Sequence, residues 1–274
     1  MKVLICGKGG SGKSTLSAII AIAMKNRGYS VLLIDADESN YGLHRMLGIS
    51  HPVSMLDNLG GKKGFRQKTS SAFPQAADAV PFMERIRINE IPEACIAEAD
   101  GIKMIVIGKI HHFGEGCACP MGALSKMFLS KIDVGENEVV IIDTAAGVEH
   151  FGRGVDADCD LIFAIVDPTF ESFTLAKKMR NMAIKAGIEI YFVLNKIDKK
   201  TLETMTSNID PKKVVAAIPQ SHTIFMSNLE GKKFKTSFQE IDPICQFIEE
   251  FKKTFLTHKG AKATKLSIFQ RSQG

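Results

Sequence analysis

No apolar stretch in this sequence of 274 residues reaches the roughly 18 to 20 residues that a membrane-spanning helix needs. The chain also lacks a large excess of charge of one sign. Its formal net charge of +5 is too small to indicate nucleic-acid binding by itself. Internal repeats, low-complexity tracts and an amino-terminal signal pattern are lacking as well. These absences predict a cytoplasmic protein that uses neither a membrane nor a nucleic acid as its partner.

Cysteine is present but sparse. Six cysteines in a cytosolic chain of this size do not form a disulfide framework, which leaves metal binding or core packing as their use. Four of them are isolated in the sequence and are predicted to be core residues: Cys6, Cys95, Cys159 and Cys245.

What is present is an alternation of apolar strands and amphipathic helices, which is typical of an α/β fold with a mostly parallel sheet and helices on both faces. The predicted strands are 2–6, 30–35, 102–107, 139–143, 161–167, 189–195 and 213–218. Helices are predicted at 13–27, at 170–186, from near Pro120 and at 242–255. The sequence therefore predicts one domain, 1–257, with an irregular insertion at 50–100 and a basic, disordered tail at 258–274.

The most specific motif lies between the first strand and the first helix. Residues Gly7 to Thr15 read Gly-Lys-Gly-Gly-Ser-Gly-Lys-Ser-Thr and match the phosphate-binding pattern G-x-x-x-x-G-K-[ST]. Lys13 is expected to reach the β- and γ-phosphates, and the Ser14 hydroxyl to hold Mg²⁺. The predicted ATP or ADP contacts in this loop are Gly7, Gly9, Gly10, Ser11, Gly12, Lys13, Ser14 and Thr15.

A second lysine, Lys8, opens the same loop, although Lys13 already serves that phosphate. This arrangement resembles the deviant Walker A loop of the P-loop family that contains nitrogenase iron protein, MinD and the ParA partition ATPases. The resemblance implies a homodimer that closes around two ATP molecules, with Lys8 crossing the interface to the nucleotide of the partner, as an arginine finger does.

Aspartates lie at the ends of two of the apolar strands. The resemblance implies that Asp35 lies near Mg²⁺, that Asp37 positions the attacking water, and that Asp143 holds Mg²⁺ through water. An aspartate at the end of a strand is sometimes only a helix cap. Lys8, Lys13 and Asp37 are thus the predicted catalytic residues.

The base-binding residues are ambiguous. Asn195, Lys196 and Asp198 form an N-K-x-D pattern, which GTPases use to read guanine, whereas the resembling ATPases use the asparagine at the adenine edge. Pro219, after the last strand, resembles the turn that packs on the base in those ATPases. ATP is favoured, and GTP is the alternative.

Cys117 and Cys119 stand two residues apart, before a predicted helix with Cys119 as its N-cap and Pro120 in its first position. Two sulfurs supply only half of a tetrahedral metal site, so a symmetric dimer could complete it with the same pair from its partner. The alternatives are two incidental cysteines or a redox pair. His111 and His112 are either auxiliary ligands or residues of a solvated turn.

With both motifs the chain resembles the nickel-insertion accessory ATPases of carbon monoxide dehydrogenase (CooC type). The resemblance also covers the run from Asp143 to Gly154, with its Gly-Val-Glu-His continuation. It implies that the cysteine pairs of two protomers hold Ni²⁺ or Zn²⁺, and that ATP turnover drives delivery to the dehydrogenase. The alternatives are a MinD- or ParA-like positioning ATPase, which would meet a membrane with its apolar carboxyl-terminal helix or DNA with a basic surface, and an iron–sulfur carrier or scaffold ATPase.

Overall fold

The computed structural model describes residues 1–70, 84–112, 118–148, 154, 156–234 and 238–271. Within them an eight-stranded sheet forms the centre, in the spatial order β10-β9-β8-β1-β7-β2-β5-β4. Only the short edge strand β4 runs antiparallel, against β5. The strands are β1 (Lys2–Gly7), β2 (Ser30–Ala36), β3 (Ile86–Arg87), β4 (Ala97–Ala99), β5 (Ile102–Val106), β6 (Ile132–Asp133), β7 (Glu138–Thr144), β8 (Leu161–Val166), β9 (Ile190–Ile197) and β10 (Val214–Pro219); β3 and β6 pair separately.

Strand β1 lies in the middle of the sheet because its side chains are apolar on both faces. Leu4 belongs to the hydrophobic core on one face, and Val3 and Ile5 belong to the core on the other. It pairs in parallel with β7 and with β8, so the chain reverses its winding direction there. Open α/β sheets bind ligands at such a point, beyond the carboxyl ends of the strands.

Helices cover both faces, as the sequence predicts. The first face is covered by α5 and α6, and the second by α1 and the carboxyl-terminal helix α9. The helices are α1 (Lys13–Asn26), α2 (Leu43–Leu47), α3 (Met55–Asn58), α4 (Gly61–Ser70), α5 (Cys119–Lys131), α6 (Phe170–Ala186), α7 (Lys199–Asn208), α8 (His222–Leu229) and α9 (Asp242–Arg271). Gly187 caps α6 at a φ of 68°, a left-handed backbone that favours glycine.

The insertion at 50–100 contains short elements between its loops. Helices α3 and α4 come first, and β3, two 3₁₀ turns and β4 follow the undescribed residues 71–83. Phe65 of α4 and Ile88 are buried in the core on the α5 side of the sheet. The insertion therefore contributes to the core of the domain.

The apolar stripe of the carboxyl-terminal helix is core, since Ile244 and Ile248 are fully buried and Phe247 and Phe251 pack beside them. The helix continues to Arg271, well beyond the end expected near Phe255. The expected tail contains three lysines and two alanines, which propagate a helix well, and its Gly260 costs only about 1 kcal/mol. Within the described ranges, no helix has the length and apolarity to cross a membrane.

Candidate functional site

The loop from Gly7 to Gly12 needs glycine for two physical reasons. Gly7, Gly10 and Gly12 have φ values of 143°, 78° and 101°, which side chains rarely allow. A Cβ on Gly12 would also lie 2.3 Å from Asn195 Nδ2, and one on Gly7 would lie 2.5 Å from the Ile165 carbonyl oxygen. The loop is therefore pressed closely against the ends of β8 and β9.

Helix α1 begins at Lys13, directly after this loop, so its first N–H groups and its positive dipole end face the loop. The Lys13 ammonium is buried and donates to the Lys8 carbonyl oxygen at 3.2 Å. Among the described residues, the buried Ser11 hydroxyl has no hydrogen-bond partner. A phosphate group would supply acceptors for all of these donors.

Two buried carboxylates stand side by side at the same edge. Asp35 of β2 pairs in register with Asp143 of β7, and both are almost completely buried. Burial raises the pKa of Asp35 to about 7, opposed mainly by the Lys109 ammonium. Burial likewise raises the pKa of Asp143 to about 6, although a hydrogen bond from Ser14 lowers it. Adjacent buried carboxylates of this kind favour a bound cation.

Asn40 connects the aspartate edge to the phosphate loop. Its Nδ2 donates to Ser14 Oγ at 2.9 Å and to Asp143 Oδ2 at 3.3 Å. One amide group thus bonds to a hydroxyl oxygen and a carboxylate oxygen, which are ligands that Mg²⁺ prefers. The donor set at Ser14 and Asp143 fits a magnesium ion.

Asp37 lines the cavity and is only 9% exposed. Its Oδ1 accepts hydrogen bonds from Ser39 N at 2.9 Å and from Ser39 Oγ at 2.6 Å. Those bonds fix the orientation of the carboxylate beside the phosphate loop.

A cavity of about 590 Å³ lies over the loop. Asn195 and Pro219 line it, and so do Phe225 and Asn228 of α8, which the sequence reading missed. Asn195 Nδ2 donates to the Ser11 carbonyl oxygen at 2.7 Å, and Lys196 Nζ donates to that of Gly10 at 2.6 Å. Both side chains therefore brace the phosphate loop at one wall of the cavity.

Asp198 has a different environment from these two neighbours. Its Oδ1 accepts from Lys200 N at 2.9 Å and from Thr201 N at 2.8 Å, so it is the N-cap of α7. Hydrogen bonds from Thr201 lower its pKa. Asp198 is not among the described residues that line the cavity. Its carboxylate is thus committed to the helix cap.

Lys8 belongs to the phosphate loop but is not among the described residues that line the cavity. Its Nζ lies 3.6 Å from Asp167 Oδ2 and 3.9 Å from Glu171 Oε2. Asp167 follows β8 and Glu171 lies in the first turn of α6. The sequence does not reveal this ion pair, because nothing in the spacing of the chain brings positions 8 and 167 together.

The cysteine segment is described from Ala118 onward, so Cys117 lies outside the described residues. Cys119 is exposed and is the first residue of α5. The expected cap was wrong by one position: Ala118 is the N-cap, since its carbonyl accepts from Met121 N at 3.0 Å and Gly122 N at 3.2 Å.

His111 Nε2 lies 3.4 Å from Asp57 Oδ2, and its role as an auxiliary ligand stays a prediction. Within the described ranges, no group of three or more His, Cys, Asp and Glu side chains could hold a metal ion. The four isolated cysteines pack as predicted: Cys6, Cys95 and Cys245 are buried, and Cys159 packs partly buried against the core.

Lys109 is the clearest residue that the sequence reading missed. It is one of the largest fully buried side chains in the described part of the chain, and its Nζ lies 2.8 Å from Asp35 Oδ2. The available signal was a lone lysine soon after the apolar strand Ile102–Val106. Asn40 had a weaker signal, as one polar residue among several after β2.

The family described as the CobQ/CobB/MinD/ParA nucleotide binding domain matches residues 2–234. An uncharacterized ATP-binding protein of Methanocaldococcus jannaschii is 43% identical over 90% of this chain and 99% of its own length. The carbon monoxide dehydrogenase accessory protein CooC of Rhodospirillum rubrum is 30% identical over 90% of this chain and 92% of its own.

Among solved structures, the septum site-determining protein MinD of Pyrococcus horikoshii, complexed with Mg-ADP, superposes with a TM-score of 0.63. It is 18% identical and covers 90% of this chain and 95% of its own, which shows a shared fold. Together with the family match and the geometry of the phosphate loop, these similarities establish the class of protein. The chain belongs to the CobQ/CobB/MinD/ParA nucleotide-binding family and is an ATP-binding ATPase of the MinD/ParA type.

Proposed function

We propose that this ATPase is a metallochaperone that binds Ni²⁺, or Zn²⁺ in its place, between the Cys117 and Cys119 pairs of two protomers. One observation carries the proposal: the helix that begins at the exposed Cys119 starts at the same edge of the sheet as the nucleotide site. Its residue Met121 packs against Gly108, where a Cβ would lie 3.1 Å from Met121 Cγ. The similarity to an accessory protein of carbon monoxide dehydrogenase supports that enzyme as the acceptor of the metal.

ATP is bound and hydrolysed at the edge of the sheet where the parallel strands have their carboxyl ends. Lys13 and the N–H groups of the loop bind the β- and γ-phosphates, and Asp37 orients the attacking water, since Ser39 holds its carboxylate. Ser14 and Asp143 hold Mg²⁺, which neutralises charge on the phosphates. Asn195 and Lys196 keep the loop in shape, and Pro219 packs on the base.

Lys8 gives the reason for a homodimer. Lys13 already occupies the phosphate position of the loop, whereas the Lys8 ammonium lies beside Asp167 and Glu171. In the closed dimer Lys8 leaves these carboxylates and reaches the phosphates of the nucleotide in the partner. ATP binding and dimer closure are then thermodynamically linked, because Lys8 gains a phosphate only in the closed state.

Closure also completes the metal site. One protomer offers two thiolates from the pair, and a two-fold axis brings the second pair, which makes a four-sulfur tetrahedral site. Hydrolysis reopens the interface and separates the pairs, so the metal is released to an acceptor. The cargo metal is thus the substrate of a nucleotide-driven transfer.

The test is metal stoichiometry. The purified chain is loaded with Ni²⁺ or Zn²⁺, with and without Mg-ATP, and each size-exclusion fraction is analysed for metal. The expected result is one metal ion for two protomers, lost in the Cys117→Ser/Cys119→Ser variant, which still binds ATP. Cys159→Ser, which changes a partly buried cysteine, is the control and keeps the metal. Metal retained by the double variant, or one ion held tightly by a single protomer, would refute the site.

The acceptor is tested separately. Nickel-loaded protein is mixed with nickel-free carbon monoxide dehydrogenase, and the dehydrogenase activity is followed with ATP, with ADP and without nucleotide. Activation that depends on ATP hydrolysis supports delivery to this enzyme. Metal binding without any activation would leave a metallochaperone with another target, and an iron–sulfur chromophore in the purified protein would favour a cluster carrier.

A further inference from the structure

Lys109 carries a buried charge that the ATPase chemistry does not use. Its side chain is fully buried, and an ammonium group in a protein interior costs several kcal/mol unless it is paired and hydrogen-bonded. Its Nζ lies 2.8 Å from Asp35 Oδ2 and 2.6 Å from the Asp37 carbonyl oxygen. Both acceptors belong to the segment that comprises the end of β2 and the residues after it, which we name the switch segment (residues 35–41).

Backbone hydrogen bonds join the same two stretches of chain. Ile107 N donates to the Asp35 carbonyl oxygen at 2.9 Å, and Ile110 N donates to that of Glu38 at 3.2 Å. The Tyr41 hydroxyl donates to the Ile110 carbonyl oxygen. Residues 107–110, which we name the connecting segment, are therefore bonded to the switch segment at both ends, with Lys109 between them.

The switch segment is bonded in turn to the nucleotide edge. Asn40 Nδ2 donates to Ser14 Oγ and to Asp143 Oδ2, and the Asp37 carboxylate lines the cavity. A ligand that changes the contacts of Ser14 or Asp37 therefore acts on the same segment that Lys109 holds.

The connecting segment contacts the cysteine helix on its other side. A Cβ on Gly108 would lie 3.1 Å from Met121 Cγ and 3.2 Å from Leu56 Cβ, so the backbone passes closely over both side chains. Met121 is buried and lies two residues after Cys119 in the first turn of α5. A shift of the connecting segment must therefore move the start of this helix, since packed interiors leave little empty space.

We infer that Lys109 is a positioning residue that couples the nucleotide site to the first turn of the cysteine helix. It fixes Asp35 and the Asp37 backbone against the connecting segment, so that a nucleotide-driven change in the switch segment reaches Cys119 through Gly108 and Met121. The inference rests on the proposed function for its purpose, which is to make metal binding depend on the bound nucleotide.

The experiment measures the rate at which iodoacetamide alkylates Cys119 in the metal-free full chain, by peptide mass spectrometry, with Mg-ADP and with the non-hydrolysed analogue Mg-AMPPNP. Coupling between sites is typically worth about 5- to 150-fold, so the wild-type rates should differ about fivefold or more. In Lys109→Met the difference should fall to within about twofold, while the Kd for the nucleotide changes little. A retained difference in Lys109→Met would overturn the inference.

Lys252→Met is the matched control. Lys252 is also a buried lysine, but it donates to the Glu136 carbonyl oxygen and lies 4.5 Å from the centroid of the Tyr29 ring. Its loss should leave the nucleotide dependence of the alkylation rate unchanged. Equal loss of that dependence in both variants would mean that any buried lysine suffices, which contradicts a specific role for Lys109.

A second variant keeps the test valid if Lys109→Met fails to fold. Gly108→Ala adds a methyl group against Met121 and Leu56, which are side chains that can adjust, so the fold should persist. The ratio of the Cys119 alkylation rates with Mg-ADP and with Mg-AMPPNP should be smaller in Gly108→Ala than in wild type, with the melting temperature nearly unchanged. A ratio equal to that of wild type in a folded Gly108→Ala protein counts against the route through Met121.

The two proposals fail in distinguishable ways. In one outcome, wild type binds one metal ion between two protomers while neither its Cys119 alkylation rate nor its metal affinity depends on the nucleotide. In that case the coupling inference is wrong and the proposed metal site is supported. If no metal binds while Cys119 reactivity still follows the nucleotide through Lys109, the coupling stands and the metallochaperone function is wrong.

Discussion

The two edges of the sheet use buried charge in opposite ways. At the amino-terminal edge, amine groups are satisfied by the backbone: the Met1 amine donates to the Glu138 carbonyl oxygen at 3.0 Å, and Lys2 Nζ donates to that of Leu129 at 2.6 Å. At the carboxyl-terminal edge, Asp35 and Asp143 are buried side by side, and the Ser11 hydroxyl has no partner among the described residues. The amines at the amino-terminal edge are thus satisfied within the protein, whereas the carboxyl-terminal edge presents polar groups that a ligand can bind.

Cavity size alone would have selected the wrong edge. The cavity at the amino-terminal edge, lined by Met1, Lys2 and Lys252, has a volume of about 720 Å³, larger than the 590 Å³ over the phosphate loop. Chemistry identifies the functional edge, because buried carboxylates and a glycine loop are costly to fold and repay that cost only when a ligand binds.

Replacing the lysine at either end of β1, Lys8 or Lys2, should give the largest difference in effect between the two edges. Lys8→Met is expected to lower kcat for ATP hydrolysis by about 10³-fold, because a finger residue supplied to the partner is worth roughly 10³ to 10⁵. The Kd for ATP should change little, since Lys8 is not among the described residues that line the cavity. Steady-state hydrolysis and nucleotide titration measure the two quantities.

Lys2→Met is the control at the other end of the same strand. Lys2 bonds only to structure at the amino-terminal edge, so kcat should stay within about twofold of wild type, as expected for a change away from the reacting groups. If Lys8→Met loses ATP affinity in proportion to kcat, Lys8 serves its own nucleotide and the trans role is wrong.

The two edges should also respond to pH with opposite signs. Burial lowers the pKa of the Met1 amine to about 5, so its contribution to stability grows as pH rises from about 5 to 8. Asp143 is the reverse case: its pKa is raised to about 6, so its contribution is complete below about pH 4 and is lost as pH rises through 6. Titrating wild type alone would mix the two trends.

Asp143→Asn separates them, because the variant keeps the Met1 amine and removes the titrating carboxyl. The free energy of unfolding of wild type minus that of the variant, without nucleotide or Mg²⁺, should fall by about 2 to 3 kcal/mol between pH 4 and pH 7, since one pKa unit is worth about 1.4 kcal/mol. Urea denaturation at each pH gives this difference. A constant or rising difference would mean that folding does not raise the pKa of Asp143.

The carboxyl-terminal edge was largely predictable from sequence because backbone rules assemble it. Parallel strands end at one edge, so the loop after β1, Asp35 at the end of β2 and Asp143 at the end of β7 had to converge once the strands were recognised. The glycines of the loop were informative because their role is local. Gly12 has a positive φ that favours glycine, and the sequence motif specifies a glycine at that position. The core cysteines were also predictable, from their apolar surroundings.

Contacts between side chains of distant segments were not predictable in this way. Lys109 pairs with Asp35 across 74 positions, and Lys8 pairs with Asp167 beyond the ends of the neighbouring strands β1 and β8, so neither pair leaves a periodic signal. The start of α5 was off by one residue because both Ala118 and Cys119 can precede a proline in the first turn, and only the hydrogen bonds to the Ala118 carbonyl decide. Register and pairing depend on packing that a single sequence does not record.

Asp198 gives the smallest expected effect and the sharpest test of base choice. If the N-K-x-D pattern read guanine, Asp198→Ala would weaken GTP binding strongly, because a buried base-edge donor would lose its acceptor. The structure instead commits this exposed carboxylate to the N–H groups of Lys200 and Thr201. The variant should therefore keep the ratio of ATP to GTP affinity unchanged and lower the melting temperature by only a few degrees at most, as expected for a lost helix cap.

Competition binding and thermal unfolding measure the two, and Asp210→Ala, which removes the equivalent cap before β10, is the matched control. A selective loss of GTP affinity in Asp198→Ala alone would return the carboxylate to the base site and with it the GTP alternative.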